Sequence, residues 1–306
     1  MAIARDVSPG FTRRRFVLGA GAAALTGCAG FQIPGTAPAV ERGYADIPGT
    51  RLYYETAGTG PSVVLIHAFM LDTRTWDDQF ELYSRSYRVT RYDARGFGRS
   101  EVPRAGEPYS HADDLAALVE QRGLGPVHVV GLSMGGRIAL DFAVTHPDRL
   151  RSLTLVDTVV GGWPWSRQWL VSYSPVLAAA RRGDIAAAKK AWLELDLFTQ
   201  MRAQPAVAER VRQMVHDYSG WHLVNRDPAR PPQPPTVSRL SKVSVPTFVL
   251  VGERDVPELQ TISAQVERGV PGARRETIEG AGHLASMEAP QRVNEVVLRF
   301  LGGLQA

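Results

Sequence analysis

Little in this 306-residue chain can be cross-linked, because it holds a single cysteine, Cys28. One thiol cannot make an intrachain disulfide, so the fold must be held by its core whatever the redox state of its compartment. Long apolar runs are also missing. The apolar segment Phe16 to Thr26 is about a dozen residues, short of the ~20 that a membrane-spanning helix needs. Charge of one sign is scarce too. Arg5, Arg13, Arg14 and Arg15, less Asp6, carry three of the four net positive charges, which leaves +1 on everything after residue 28. A nearly neutral chain gives no electrostatic reason to bind nucleic acid. No His, Cys or Asp spacing matches a metal site. Gly96-Phe97-Gly98 lacks the third glycine and the strand–helix setting of a dinucleotide fingerprint. No metal and no cofactor is expected.

What is present starts at the N-terminus. Thr12-Arg13-Arg14-Arg15-Phe16-Val17-Leu18 is a twin-arginine pattern, and Leu25-Thr26-Gly27-Cys28 resembles a bacterial lipobox, in which the cysteine is lipidated and becomes the first residue. Residues 1–28 are therefore expected to be an export signal, with Cys28 as the lipidation site and a membrane as partner through that anchor. The protein is expected outside the cytoplasm, on the outer face of a bacterial membrane or in the periplasm. Residues 29–43, with Pro34, Gly35 and Pro38, read as a flexible linker.

The remainder has the length of one large α/β domain with an insertion. Tyr44 to Ile47 and Leu52 to Thr56 alternate apolar and polar residues around Pro48-Gly49-Thr50, a hairpin pattern. Ser62 to His67 is a continuous apolar run, as expected of a strand buried on both faces. Further strands are expected at Tyr87–Asp93, Val127–Leu132, Leu153–Asp157, Pro246–Val251 and Arg274–Ile278, with helices between them. Strands alternating with helices predict a mostly parallel central sheet flanked by helices, formed by residues 44–158 and 241–306. From 159 to 240 the rhythm stops. This stretch reads as a helical cap insertion, closed by the proline-rich run Pro228 to Pro235, and it carries five of the six tryptophans. Most of these are expected to be simple packing, and one or two to line an apolar pocket.

The chemistry centres on Gly131-Leu132-Ser133-Met134-Gly135, where a β-branched strand drives into a serine flanked by glycines and then into a helix. Such an elbow holds the serine Oγ at a tip beside a helix N-terminus. A plain turn with a capping serine would look the same over five residues, so the partners decide. A serine hydroxyl needs a base, and the base needs a group that orients it. Of seven histidines, His283 alone lies in a glycine-rich loop, Glu279-Gly280-Ala281-Gly282-His283, just after a strand. In a parallel sheet this is the carboxyl edge, where Ser133 also sits and where ligands bind. Asp255 follows the preceding strand at the same edge, and Asp157 at the end of an earlier strand is the fallback acid. The order Ser133, Asp255, His283 is nucleophile, acid, base.

On these residues the chain resembles the serine-nucleophile branch of the α/β-hydrolase superfamily, from Tyr44 to Leu301. It is most similar to esterases, enol-lactonases and perhydrolase-like enzymes. Leu65-Ile66-His67-Ala68-Phe69, Asp93-Ala94-Arg95-Gly96-Phe97-Gly98-Arg99-Ser100 and Ala281-Gly282-His283 carry the likeness. The resemblance implies an oxyanion hole made by the backbone N–H groups of Phe69 and Met134. It also implies cleavage of a small-molecule ester or lactone through an acyl-enzyme, with perhydrolysis or C–C bond hydrolysis on the same triad as alternatives. A catalytically silent, lipid-anchored binding protein is the alternative outside enzymology. Ala68 stands where the family commonly has glycine, which leaves the geometry of that loop to be seen. His67 is read as a structural histidine holding it.

Overall fold

The computed structural model describes residues 38–304. The export signal, Cys28 and most of the expected linker lie outside the described residues. Strand β1 (Val40–Ile47) opens the fold, so the linker boundary at residue 43 falls inside a strand. The first residues of β1 are only partly buried, and their order comes from pairing with β2 (Thr50–Ala57) along its full length, not from a hydrophobic pattern.

The chain continues through β3 (Ser62–Ile66), α1 (Asp77–Tyr83), β4 (Arg88–Tyr92), α2 (His111–Gln121), β5 (Val127–Leu132), α3 (Met134–Thr145) and β6 (Leu150–Val156). An insertion follows, with α4 (Arg167–Arg181), α5 (Ile185–Leu193), α6 (Thr199–Arg202), α7 (Pro205–Asp217) and α8 (Trp221–Val224). The core then closes with β7 (Thr247–Gly252), α9 (Pro257–Gly269), β8 (Arg274–Ile278), α10 (Ala285–Glu288) and α11 (Pro290–Gly303).

The eight strands form one sheet in the order β1-β2-β4-β3-β5-β6-β7-β8. β1, β2 and β4 pair antiparallel, and every pair from β4 to β8 is parallel. Helices cover the parallel strands on both faces, so every residue of β3, β5 and β7 is buried. This explains their largely apolar sequences, broken only by Ser62, His128 and Thr247. β8 is the sheet edge and presents Arg274 and Arg275 to solvent, which blunts further pairing.

The chain leaves β3 for β4 on one side and returns to β5 on the other. The crevice between the carboxyl ends of β3 and β5 is thus the topological switch point, where α/β sheets bind ligands. The insertion roofs this edge. Its buried residues Val176, Ala188, Trp192, Phe198, Val211 and Met214 join the same hydrophobic core as the sheet. No helix among the described residues is long and apolar enough to cross a membrane.

Candidate active site

Ser133 sits between β5 and α3 with φ 53° and ψ −107°, a conformation that L-residues avoid. The neighbouring glycines make it possible. A Cβ on Gly131 would run into the Gly135 backbone, and one on Gly135 would run into the Ile66 and His67 carbonyls. The second clash shows how closely the start of α3 lies against the loop after β3. Ser133 makes no capping bond to its own helix. Its Oγ instead lies 2.9 Å from His283 Nε2.

His283 Nδ1 is 2.9 Å from Asp255 Oδ2, and Asp255 Oδ1 accepts the Val256 N–H at 2.7 Å. Both side chains are buried. The structure therefore brings together the three residues singled out in the sequence, each from the carboxyl edge of a different strand. Asp157, the fallback acid, points elsewhere. Its Oδ1 accepts the Gly252 N–H at 2.7 Å and its Oδ2 the Ala285 N–H at 2.9 Å. It stitches the acid-bearing strand to the histidine loop. Burial, and then the nearby Asp255, push its carboxyl well above the usual carboxylate range. Glu288 holds the same loop from the other side, accepting the N–H groups of Gly282 and Leu284. Burial raises its carboxyl too.

Phe69 lies in a tight turn closed by the Leu71 N–H on the Ala68 carbonyl at 3.2 Å, with Met70 at φ 60°. The residue with positive φ is Met70, so Ala68 fits with no need for glycine. His67 clamps this turn: Nδ1–H donates to the Ala68 carbonyl at 2.7 Å, and Nε2 accepts the Ala94 N–H at 2.9 Å. That bond ties the turn to the Asp93–Ser100 loop, which is itself pinned by Asp93 accepting from Thr73 and Arg99. Met134 is the first residue of α3, so its N–H has no carbonyl one turn back to receive it. Phe69, Met134, Ser133 and His283 all line one cavity of about 490 Å³.

The walls of that cavity are mostly aromatic. Trp163, Trp165, Trp169 and Trp192 line it, whereas Trp221 does not. This exceeds the one or two expected, because the cap turns its aromatic face down onto the sheet edge. Trp165 stacks on Trp169 at 4.9 Å, and Phe97 stacks on His222 at 4.3 Å. Four polar residues in the lining carried no role in the sequence reading: His111, Arg137, His222 and Asp227. The spacing of Arg137, one helical turn after Ser133, was the available signal. Burial drives both histidines toward the neutral form, His222 down to about 4 and His111 well below its ordinary value.

An eight-stranded, mostly parallel sheet with a strained serine elbow and a Ser–His–Asp chain at its carboxyl edge defines a class of proteins. The model of the alpha/beta hydrolase fold family matches residues 61–290, and the chain belongs to that family. It is similar to a thermophilic esterase from Thermogutta terrifontis, at 30% identity and a TM-score of 0.70 over 87% of this chain and all of that one. The enol-lactonase of Burkholderia xenovorans LB400 is 25% identical, with a TM-score of 0.68 over 85% of this chain and all of its own. A putative 2-succinyl-6-hydroxy-2,4-cyclohexadiene-1-carboxylate synthase from Bacillus subtilis is 28% identical, over 81% of this chain and 94% of that protein.

Proposed function

We propose that the protein is a serine hydrolase of carboxylic esters or lactones. The observation that carries this reading is the continuous chain Ser133 Oγ, His283, Asp255, with both links at 2.9 Å, opening into an apolar cavity. Ser133 attacks the substrate carbonyl while His283 Nε2 takes its proton. Asp255 holds Nδ1–H, which fixes the tautomer and stabilises the imidazolium. The N–H groups of Met134 and Phe69 receive the oxyanion, and the dipole of α3 adds to the first of them. His283 returns the proton to the departing alcohol. Water then repeats the sequence on the acyl-enzyme.

The likeness to an esterase and an enol-lactonase, at 30% and 25% identity, supports this substrate class. A fluorophosphonate probe tests it. The wild type labels and Ser133→Ala does not, with ester turnover lost in step. Equal labelling of the two proteins would sink the reading and leave a binding protein. We also propose export and lipid attachment at Cys28, on the strength of the twin arginines and Leu25-Thr26-Gly27-Cys28. A palmitate analogue incorporated by the wild type and not by Cys28→Ser tests that.

A further inference from the structure

Arg137 is the one arginine or lysine among the residues that line the cavity. It lies in the first turn of α3, with its N–H on the Ser133 carbonyl at 3.1 Å, and the two residues line the same cavity. Most arginines here have partners: Arg95 pairs with Asp114 at 2.6 Å, Arg91 with Glu55 at 2.7 Å and Arg210 with Asp78 at 2.7 Å. Arg137 has none. Among the described residues its guanidinium makes no hydrogen bond, and no carboxylate lies within the 4.0 Å of an ion pair.

The titratable groups facing it do not fill that vacancy. Asp141, one turn further along α3, is buried and bound by the Thr236 hydroxyl; it feels the charge of Arg137, which works against the upward push of burial on its carboxyl, but the two form no ion pair. Asp227 also lines the cavity, but its Oδ1 accepts the Ala229 N–H at 3.0 Å and its Oδ2 lies 3.9 Å from His222 Nε2. His111 and His222 are driven neutral by burial, and Arg137 itself contributes to that. The cavity therefore offers a guanidinium with no hydrogen-bond or ion-pair partner among the described residues, in a mostly aromatic lining that it shares with the Asp227 carboxylate, where charge is poorly screened.

From this we infer that the enzyme's substrates are anionic esters or lactones, whose carboxylate is received by Arg137 while the acyl carbonyl meets Ser133. The inference rests on the hydrolase reading above and narrows its substrate class. A guanidinium presents a planar fork that matches a carboxylate with two parallel N–H···O bonds. A single positive charge balances a single negative one, and the lining holds no second cation for a phosphate dianion. Arg137 and Ser133 line one cavity of about 490 Å³, which calls for a compact substrate that carries carboxylate and scissile carbonyl together.

Two matched ester pairs test it, one charged on each side of the scissile bond: phenyl hemisuccinate against phenyl butyrate, and 4-acetoxybenzoate against 4-acetoxytoluene. The readout is the charged-to-neutral ratio of kcat/KM, divided by the same ratio in Arg137→Gln, which cancels intrinsic reactivity. For at least one pair this quotient is expected to be about 10 to 100, the effect of losing a hydrogen bond to a charged group, with Arg137→Lys retaining part of it. A quotient near one for both pairs overturns the assignment. Calorimetric titration with pentanoate, a monocarboxylate, judges the same site without turnover. The wild type is expected to bind it saturably and Arg137→Gln at least tenfold more weakly. No saturable binding by the wild type overturns the proposal without recourse to a variant. Failure of the hydrolase reading looks different: none of the four esters turns over and Ser133 takes no fluorophosphonate, whatever pentanoate does.

Discussion

The sheet and the cap build one cavity by different means. On the sheet side, position is set by backbone. Ser133 and Asp255 follow β5 and β7, which are buried throughout, His283 follows the edge strand β8, and Asp157 and Glu288 fix the histidine loop through main-chain N–H groups. On the cap side, position is set by side chains. The cap reaches the sheet layer through polar ties that include Trp163 Nε1 and the Ser166 N–H on Glu258, at 2.7 and 3.1 Å, the ion pairs Arg210–Asp78 and Arg74–Asp217 at 2.7 and 2.9 Å, Arg254 on Gln200 at 3.2 Å and the Thr236 hydroxyl on Asp141. Chemistry that tolerates little displacement sits on the rigid layer. Shape, which can vary without harming the chemistry, sits on the layer held by a few polar ties.

The hardest blow to this contrast would come from its two buried aspartates. Asp255→Asn should lower kcat by about 10³- to 10⁴-fold, because the amide no longer holds His283 in the tautomer that accepts the Ser133 proton. Asp157→Asn should act on stability. Asp157 receives two N–H groups, and an amide must turn its NH₂ toward one of them, at a cost of about 1–3 kcal/mol. Urea unfolding should show that loss, with kcat falling less than tenfold. Equal losses of kcat in the two variants would mean that the acid assignment is wrong.

A second test moves to the cap. Trp169 is half-buried in the cavity wall, stacked between Trp165 and Tyr173. Trp169→Ala should open the wall and shift the ratio of kcat/KM for dodecanoyl over butanoyl p-nitrophenyl esters by about tenfold, in the range that hydrophobic pockets discriminate. A drop shared equally by every chain length would show instead that the cap acts on the catalytic layer. The division of labour would then fail.

The same contrast governs what could be read from sequence. β3, β5 and β7 announce themselves because burial on both faces favours apolar residues, and the elbow does so because its glycines answer to backbone clashes. Ser133, Asp255 and His283 were legible because strand ends fix where they go. The cap offers no such rule. α4 carries Pro175 in its interior and exposes Leu170, Val171 and Leu177, so its apolar residues do not trace one face. Four tryptophans turned to the cavity where one or two were expected, since an aromatic side chain packs equally well against a core or a substrate. Arg137 was invisible for another reason: its importance lies in the partner it lacks, and only the folded chain shows that.

The smallest expected effect concerns acid, and it compares one histidine from each layer. His128 in β5 has Nδ1 at 2.8 Å from Ser152 Oγ, and burial, with help from Arg151, pushes it down to about 4. His222 in the cap is likewise pushed down to about 4, by burial with Arg137 and His67 adding and Asp227 opposing. In both, the unfolded chain takes up a proton near the ordinary 6.5 that the folded chain refuses until about 4. Unfolding therefore binds protons in that window, and stability is full above it and declines as pH falls through it. Because few polar ties hold the cap, its share of the decline should appear first, as local opening. Five of the six tryptophans lie in the cap and report on it by fluorescence, while far-UV circular dichroism follows the whole fold. On acidification the fluorescence transition should precede the dichroism transition by a few tenths of a pH unit. His222→Gln should close that gap, and His128→Gln should flatten the later transition and leave the gap in place. A single coincident transition in the wild type would show that cap and sheet unfold as one unit, with no mechanical independence for the cap to lend to substrate selection.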